Sequence, residues 1–203
     1  MSIRLFALLV LVPALCVGFA WADEKADDKS SVKKAPEFVL KDSSGKTHKL
    51  SEYKNKIVVL EWINYECPYV LRHCEKGTMT KTAKEFSERG VVWLAIDSHQ
   101  QHDAAGVEKF RQKNQVTYPV LLDTDGKIGR KYGAKTTPHM FIIKEGVILY
   151  DGAIDDDKRG KKKQATNHVA AALKEVLAGE PVTVAATQSY GCSVKYAKFT
   201  PEG

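Results

Sequence analysis

The chain has 203 residues, 43% of them hydrophobic, with 31 lysines and arginines against 25 aspartates and glutamates, a net charge of +6 and a mean hydropathy of −0.31. That length supports one domain with a full hydrophobic core that needs no disulfide for stability, so its cysteines read as chemical rather than structural. Much of the basic excess lies in Lys158–Lys163, directly after Asp155-Asp156-Asp157; opposed charges without interleaved aromatics describe a solvated loop and exclude a nucleic-acid face.

Met1 to Arg4 carries one positive charge, Leu5 to Ala20 is an apolar run, and Ala20-Trp21-Ala22 places small residues at the two positions a signal peptidase reads. Residues 1–22 are therefore expected to be a signal peptide cleaved after Ala22, leaving a periplasmic or secreted chain with no stable membrane insertion. An uncleaved anchor is the rival reading, because Leu5 to Ala22 approaches the roughly 17–25 residues a span needs. Pro13 and the Ala-x-Ala site weigh against it. Lipid attachment at Cys16 is disfavoured by the bulk of Leu15. Export leaves three cysteines, Cys67, Cys74 and Cys192, in an oxidising setting, and three is odd: one stays free, or two pair in turn with a third.

Residues 23–34 are charged and poor in apolar side chains, a flexible tether. Folding is expected from Ala35. Phe38-Val39-Leu40 and Thr47 to Leu50 flank the turn sequence Asp42-Ser43-Ser44-Gly45-Lys46 and predict a short hairpin, with Ser51 capping a brief helical turn. Ile57 to Ile63 is a near-continuous apolar run, the pattern of a strand covered on both faces. Thr78 to Arg89 predicts a helix stopped at Gly90, Val91 to Ile96 a strand, Ala104 to Lys113 a helix, Tyr118 to Leu122 an extended segment, and Lys127 to Tyr132 a short helix closed by Gly133. Met140 to Ile143 and Val147 to Tyr150 predict a hairpin. Gln164 to Leu177 is amphipathic, with Val169, Ala172, Leu173 and Val176 on one face, and stops at Gly179 and Pro181. Alternating strands and helices covered on both faces make an α/β layer sandwich.

Cys67 falls where the strand over Ile57 to Ile63 gives way to a helix, with Pro68 at its first position, where a missing donor costs nothing. Unpaired N–H groups and the positive end of the helix dipole favour a thiolate there.

Ala35-Pro36-Glu37-Phe38, the strand into Glu66-Cys67-Pro68-Tyr69-Val70, and Thr137-Pro138 ahead of a hairpin strand together resemble the thioredoxin-like superfamily, and within it the redoxin branch of alkyl hydroperoxide reductase and thiol-specific antioxidant proteins. The likeness spans residues 35–180, and for exported peroxiredoxin-like proteins it extends to Ala153-Ile154-Asp155-Asp156 and to Gly191-Cys192-Ser193-Val194-Lys195 in the tail over residues 181–203. It implies a thioredoxin-like three-layer sandwich with an N-terminal β-hairpin and a C-terminal tail. By position, Cys67 matches the attacking cysteine and Pro138 the proline whose preceding bond is cis, leaving the Thr137 backbone free to pair with an extended partner. Glu61 falls where thioredoxins place a buried carboxylate able to pass a proton to a leaving sulfur; an exposed strand residue is the equal alternative.

The departures are as informative. Thioredoxins carry a second cysteine three residues after the first, and here that residue is Val70. Peroxiredoxins place Thr or Ser three residues before it, and here that residue is Asn64, which can still donate a hydrogen bond. Arg72 and Arg130 are the candidates for a peroxiredoxin's helper arginine. A continuous helix would hold the Cα atoms of Cys67 and Cys74 about 10 Å apart, beyond the roughly 7 Å a disulfide tolerates, although Glu75-Lys76-Gly77 offers a point of unwinding. Cys192, in a tail free of helical pattern, is the favoured resolving partner; Cys74, or no resolving cysteine, are the others.

The expected function is an exported thiol-dependent oxidoreductase in which Cys67 attacks a peroxide or a protein disulfide, a second cysteine resolves it, and an external thiol reductant restores both. No cofactor, metal or nucleic acid is called for, and Tyr69 and His139 are expected to border the site. Two alternatives remain open. One is a copper-binding or delivery protein built on Cys67, His73, Cys74 and His139, which soft ligands favour and the C-x6-C spacing does not; the other is a redox-inactive binding module.

Overall fold

The computed structural model describes residues 33–198. The expected signal peptide, residues 23–32 of the tether and the last five residues lie outside them. Among the described residues no helix is long and apolar enough to cross a membrane.

The first hairpin pairs β1 (Val39–Asp42) with β2 (Thr47–Lys49), and Asp42 builds its turn by accepting from Ser44 N–H at 2.9 Å and Lys46 N–H at 3.1 Å. Two boundaries differ here from expectation. The 3-10 turn Leu50–Tyr53 starts one residue before Ser51, because Leu50 turns into the core and the Glu52 carboxylate accepts from Lys49 N–H at 3.4 Å; Ser51 caps nothing. Order also begins before Ala35. Lys33 and Lys34 lie against the sheet edge, with Lys33 O accepting from Ile148 N–H at 2.9 Å and Lys34 bridged to Val147.

The central strand β3 (Val58–Ile63) is buried along its whole length. It runs parallel to β4 (Val92–Asp97) and antiparallel to β7 (His139–Lys144); β5 (Val120–Leu122) lies beyond β4 and β8 (Val147–Gly152) beyond β7. The order across the sheet is β2-β1-β5-β4-β3-β7-β8.

The two-residue side-chain period of β3 supplies both faces. Val59 and Ile63 pack with α1 (Pro68–Lys76), α2 (Thr78–Ser87), α3 (Ala104–Lys113) and α5 (His168–Ala178), while Val58, Leu60 and Trp62 pack with the Leu50 turn and α4 (Lys127–Tyr132). The result is a helix–sheet–helix sandwich of thioredoxin-like architecture. Burial of Val169, Leu173 and Val176 on α5 is worth about 1.5–3 kcal/mol per side chain.

α5 starts four residues later than its periodicity predicts. Asn167 is its cap, accepting from Ala170 N–H at 2.9 Å, and the residues before it are held out of the helix: Asp156 accepts from Thr166 N–H at 2.9 Å, and Asp155 bridges Asn167.

The tail does not trail away from the domain. Ala186 bridges Asp151, the Thr187 hydroxyl accepts from Ala153 N–H at 2.9 Å, and Tyr190 is buried. The tail then forms β9 (Cys192–Ser193), which pairs antiparallel with β6 (Thr136–Thr137) in the register Thr137 to Cys192.

Candidate functional site

The apolar run of β3 ends at Ile63, and a tight turn delivers Cys67 to the start of α1. Asn64 shapes it: its side-chain carbonyl accepts from Glu66 N–H at 2.7 Å and its backbone carbonyl from Cys67 N–H at 3.0 Å. Cys67 is the N-cap residue in extended geometry and Pro68 is the first helical residue. Asn64 thus positions the turn.

Cys67 is 2% exposed. Its Sγ lies 3.0 Å from the Thr137 carbonyl oxygen and 2.8 Å from the Cys192 Sγ, with all three cysteines of the described chain as free thiols. The peptide bond between Thr137 and Pro138 is cis. Burial pushes the Cys67 thiol up, but hydrogen bonds from the Cys192 and Thr137 side chains and the backbone N–H groups of Val70 and Cys192 outweigh it, so the thiol ionises below its ordinary value. Cys192 moves the other way. Burial, its donation to Cys67 and the charge of the Cys67 thiolate push it up to about 11.

Glu61 is 1% exposed rather than a surface strand residue. Its Oε2 accepts from Trp93 Nε1 at 2.7 Å and from the Tyr118 hydroxyl at 3.0 Å. Burial raises this carboxyl to about 7 in spite of those two donors, which places its proton within reach of neutral pH. Cys74, in the last turn of α1, is raised to about 12 by burial and by the charge of Glu61. Because α1 is unbroken from Pro68 to Lys76 and ends only at left-handed Gly77, Cys67 and Cys74 stay about 10 Å apart.

The other named residues are placed elsewhere. Arg72 donates to the carbonyls of Lys158 (3.0 Å) and Asp157 (3.2 Å) and lies over the Tyr69 ring, while Arg130 lies over Tyr196 and donates to the Ala197 carbonyl. Neither hydrogen-bonds Cys67. Tyr69 lines a cleft of about 480 Å³ beside the start of α1, together with Pro68, Arg72, Lys158, Arg159 and Lys161, a strongly basic wall. His139 is committed to Asp151 at 2.8 Å and to Lys135 N–H at 3.1 Å. The set Cys67, His73, Cys74 and His139 is not assembled: among the described residues, the one group of three ligand-type side chains that converges is Glu66, His99 and His102.

Two residues to which the sequence assigned no role complete the geometry. Gly191 has φ of +136°, and a Cβ there would lie 2.0 Å from the Thr137 carbonyl oxygen, so only glycine lets the tail strand close onto β6. Tyr190 donates to Asp155 and stands 3.0 Å from His73 Nε2, which fastens the tail over α1 two residues before Cys192. The Gly-Cys pair was visible in the sequence; the Tyr190 anchor had no local signal.

A family model described as AhpC/TSA family matches residues 32–151, more than half of the chain. The chain belongs to that family. It is a thioredoxin-like oxidoreductase of the redoxin branch. The chain is 30% identical over 155 residues to the thiol-disulfide oxidoreductase ResA of Bacillus thuringiensis subsp. konkukian, covering 73% of this chain and 84% of the relative. Against the protein of the same name from Bacillus subtilis strain 168 it is 33% identical over 153 residues, covering 72% and 81%. Among solved structures, a hypothetical protein from Sinorhizobium meliloti 1021 superposes with a TM-score of 0.75 at 27% identity, over 83% of this redoxin and 95% of that chain.

Proposed function

We propose that this redoxin is an exported thiol–disulfide oxidoreductase in which Cys67 attacks and Cys192 resolves. The observation that carries the reading is the pair of sulfurs 2.8 Å apart at the start of α1, one favoured as thiolate and the other held as thiol. A disulfide bond is about 2.05 Å, so closure needs less than about 1 Å of movement.

In the first step the Cys67 thiolate attacks a substrate disulfide; a bond forms between Sγ and one substrate sulfur, and the other leaves with the electron pair as a thiolate. That transfer discharges Cys67, and the negative charge that held the Cys192 proton in place disappears. Cys192 then loses its proton to the departing thiolate and attacks Cys67 Sγ, expelling the second substrate sulfur as a thiolate and closing the Cys67–Cys192 bridge. An external dithiol returns two electrons and two protons. Glu61, buried in β3 where its charge acts on Cys74 of α1 and with a proton it releases near pH 7, is the group proposed to take up or supply a proton as sulfurs exchange.

A protein disulfide is favoured over a peroxide because neither Arg72 nor Arg130 reaches Cys67. Export rests on the leader sequence and its Ala-x-Ala site. The test is to reduce the chain from residue 23 onward, treat it with limiting oxidised insulin, alkylate, and map cysteines by mass spectrometry. A Cys67–Cys192 bridge is expected, and Cys192→Ser is expected to trap a mixed disulfide on Cys67. Full turnover by Cys192→Ser, or oxidation that bypasses Cys67, overturns the reading.

A further inference from the structure

Parallel strands β3 and β4 end side by side, Ile63 opposite Asp97. Their following loops therefore meet at one edge of the sheet. The first loop carries Glu66, directly before Cys67; the second carries His99 and His102. One ligand-type atom from each of these three side chains lies within 4.8 Å of the others.

His102 is the centre of the group. It is 6% exposed, and its Nδ1 stands 2.7 Å from Oδ2 of the fully buried Asp97, whose Oδ1 accepts from His99 N–H at 2.9 Å. A carboxylate can only accept, so Nδ1 carries a proton, and the tautomer of the uncharged ring that this selects has its lone pair at Nε2. That atom is buried and has no hydrogen-bond partner; it faces the Glu66 carboxylate at 3.7 Å. An orphaned buried imidazole nitrogen is costly without a ligand. The ring is also fixed in orientation, stacked between Tyr65 at 3.6 Å and His99 at 3.9 Å.

We propose that Glu66, His99 and His102 bind a divalent transition-metal ion of the zinc class, with Asp97 as the carboxylate that orients His102. A buried carboxylate behind a histidine whose other nitrogen is free is the usual outer support of a metal-bound imidazole. Two imidazoles and one carboxylate form a three-ligand set that leaves a fourth tetrahedral position open. Binding requires His99 to tilt out of its stack, since a metal bond lies in the plane of each ring, and to give up the 3.2 Å bond that its Nδ1 accepts from Gln101 N–H, whichever ring nitrogen takes the metal. Glu66, 68% exposed at its side chain, is free to close in. Lys195 of the tail adds one positive charge near His99, against the two carboxylates Glu66 and Asp97.

The site adjoins the cysteine through Glu66 but uses no sulfur ligand, and its test is arranged to keep the two separate. Cobalt(II) is titrated into the full mature chain and into a variant with Cys67, Cys74 and Cys192 all changed to serine, and followed by visible absorbance. One equivalent bound with tetrahedral bands and no thiolate charge-transfer band is expected in both proteins. His102→Gln is expected to abolish binding, and Glu66→Gln and Asp97→Asn to weaken it at least tenfold. Glu66→Gln lies at an exposed position and keeps the test decisive if a His102 variant does not fold. Binding lost in the serine variant, binding indifferent to Glu66→Gln, or no binding at 100-fold excess cobalt overturns the proposal.

Discussion

Replacing Glu61 by Gln isolates the carboxyl buried in β3. The amide matches the carboxyl in shape and still offers one oxygen to Trp93 Nε1 and the Tyr118 hydroxyl, so packing is preserved. In the fold the carboxyl ionises near pH 7, against an ordinary 4.5 in the unfolded chain. Between those two pH values the folded protein keeps a proton that the unfolded chain has lost. The stability associated with the neutral carboxyl is therefore complete below about pH 4.5 and is lost as pH rises through 7, at about 1.4 kcal/mol per pH unit and about 3 kcal/mol in total. Glu61→Gln is expected to match the parent at pH 4 and to exceed it by about 3 kcal/mol at pH 8, or roughly 6–12 °C in melting temperature for a chain of this size. His73 works in the opposite sense: burial holds it at about 4 against 6.5, so the unfolded chain binds the extra proton in that window and stability rises with pH. The two slopes oppose each other in the parent between pH 4.5 and 6.5. The measurement is urea unfolding of both proteins, fully reduced, at half-unit steps from pH 4 to 8. A difference that does not vary with pH refutes a raised carboxyl at Glu61.

Three further outcomes follow from the site. Cys192→Ala removes the leading hydrogen bond that favours the Cys67 thiolate, so the Cys67 titration read from thiolate absorbance at 240 nm should move upward; an unchanged or lower value contradicts the sulfur–sulfur contact. Gly191→Ala places a methyl 2.0 Å from the Thr137 carbonyl and forces β9 away at a cost of about 1–3 kcal/mol, so formation of the Cys67–Cys192 bridge at fixed glutathione ratio should slow at least tenfold. Tyr190→Phe strips a hydroxyl from between buried Asp155 and His73 and should destabilise the reduced protein by about 1–3 kcal/mol in denaturant titration; a neutral effect would mean the tail is not anchored there.

What could be read in the sequence was local. The strand over β3, the break at Asn64 to Glu66 and Pro68 after the cysteine are consecutive, so Cys67 at a helix start needed no tertiary information. Other features depend on partners far along the chain. Glu61 sits in a strand buried on both faces, and only Trp93 and Tyr118, on and beside neighbouring strands, decide that its carboxyl is enclosed. The Gln164 helix start failed because Asp156 captures the Thr166 amide, a bond that no helical periodicity registers. Glu66, His99 and His102 share no spacing motif; the parallel pairing of β3 and β4 brings their loops together.

The course of the tail shows why a segment without periodicity can still be specified. Its ordering comes from single points: Ala186 on Asp151, Thr187 on Ala153, Tyr190 on His73 and Asp155, and Tyr196, whose hydroxyl donates to the Ala134 carbonyl at 2.8 Å. Between the last two anchors β9 pairs with β6 through only two residues. In the proposed cycle an extended substrate has to displace β9 from Thr137 before its sulfur can meet Cys67. Releasing two pairs is a small cost, whereas Tyr190 and Tyr196 hold both ends of the strand and keep Cys192 at high effective concentration for its return. Cys74 has no such route: reaching Cys67 would require α1 to unwind. The short ladder flanked by firm anchors therefore favours the tail cysteine as resolving partner on two counts, distance and cost of movement.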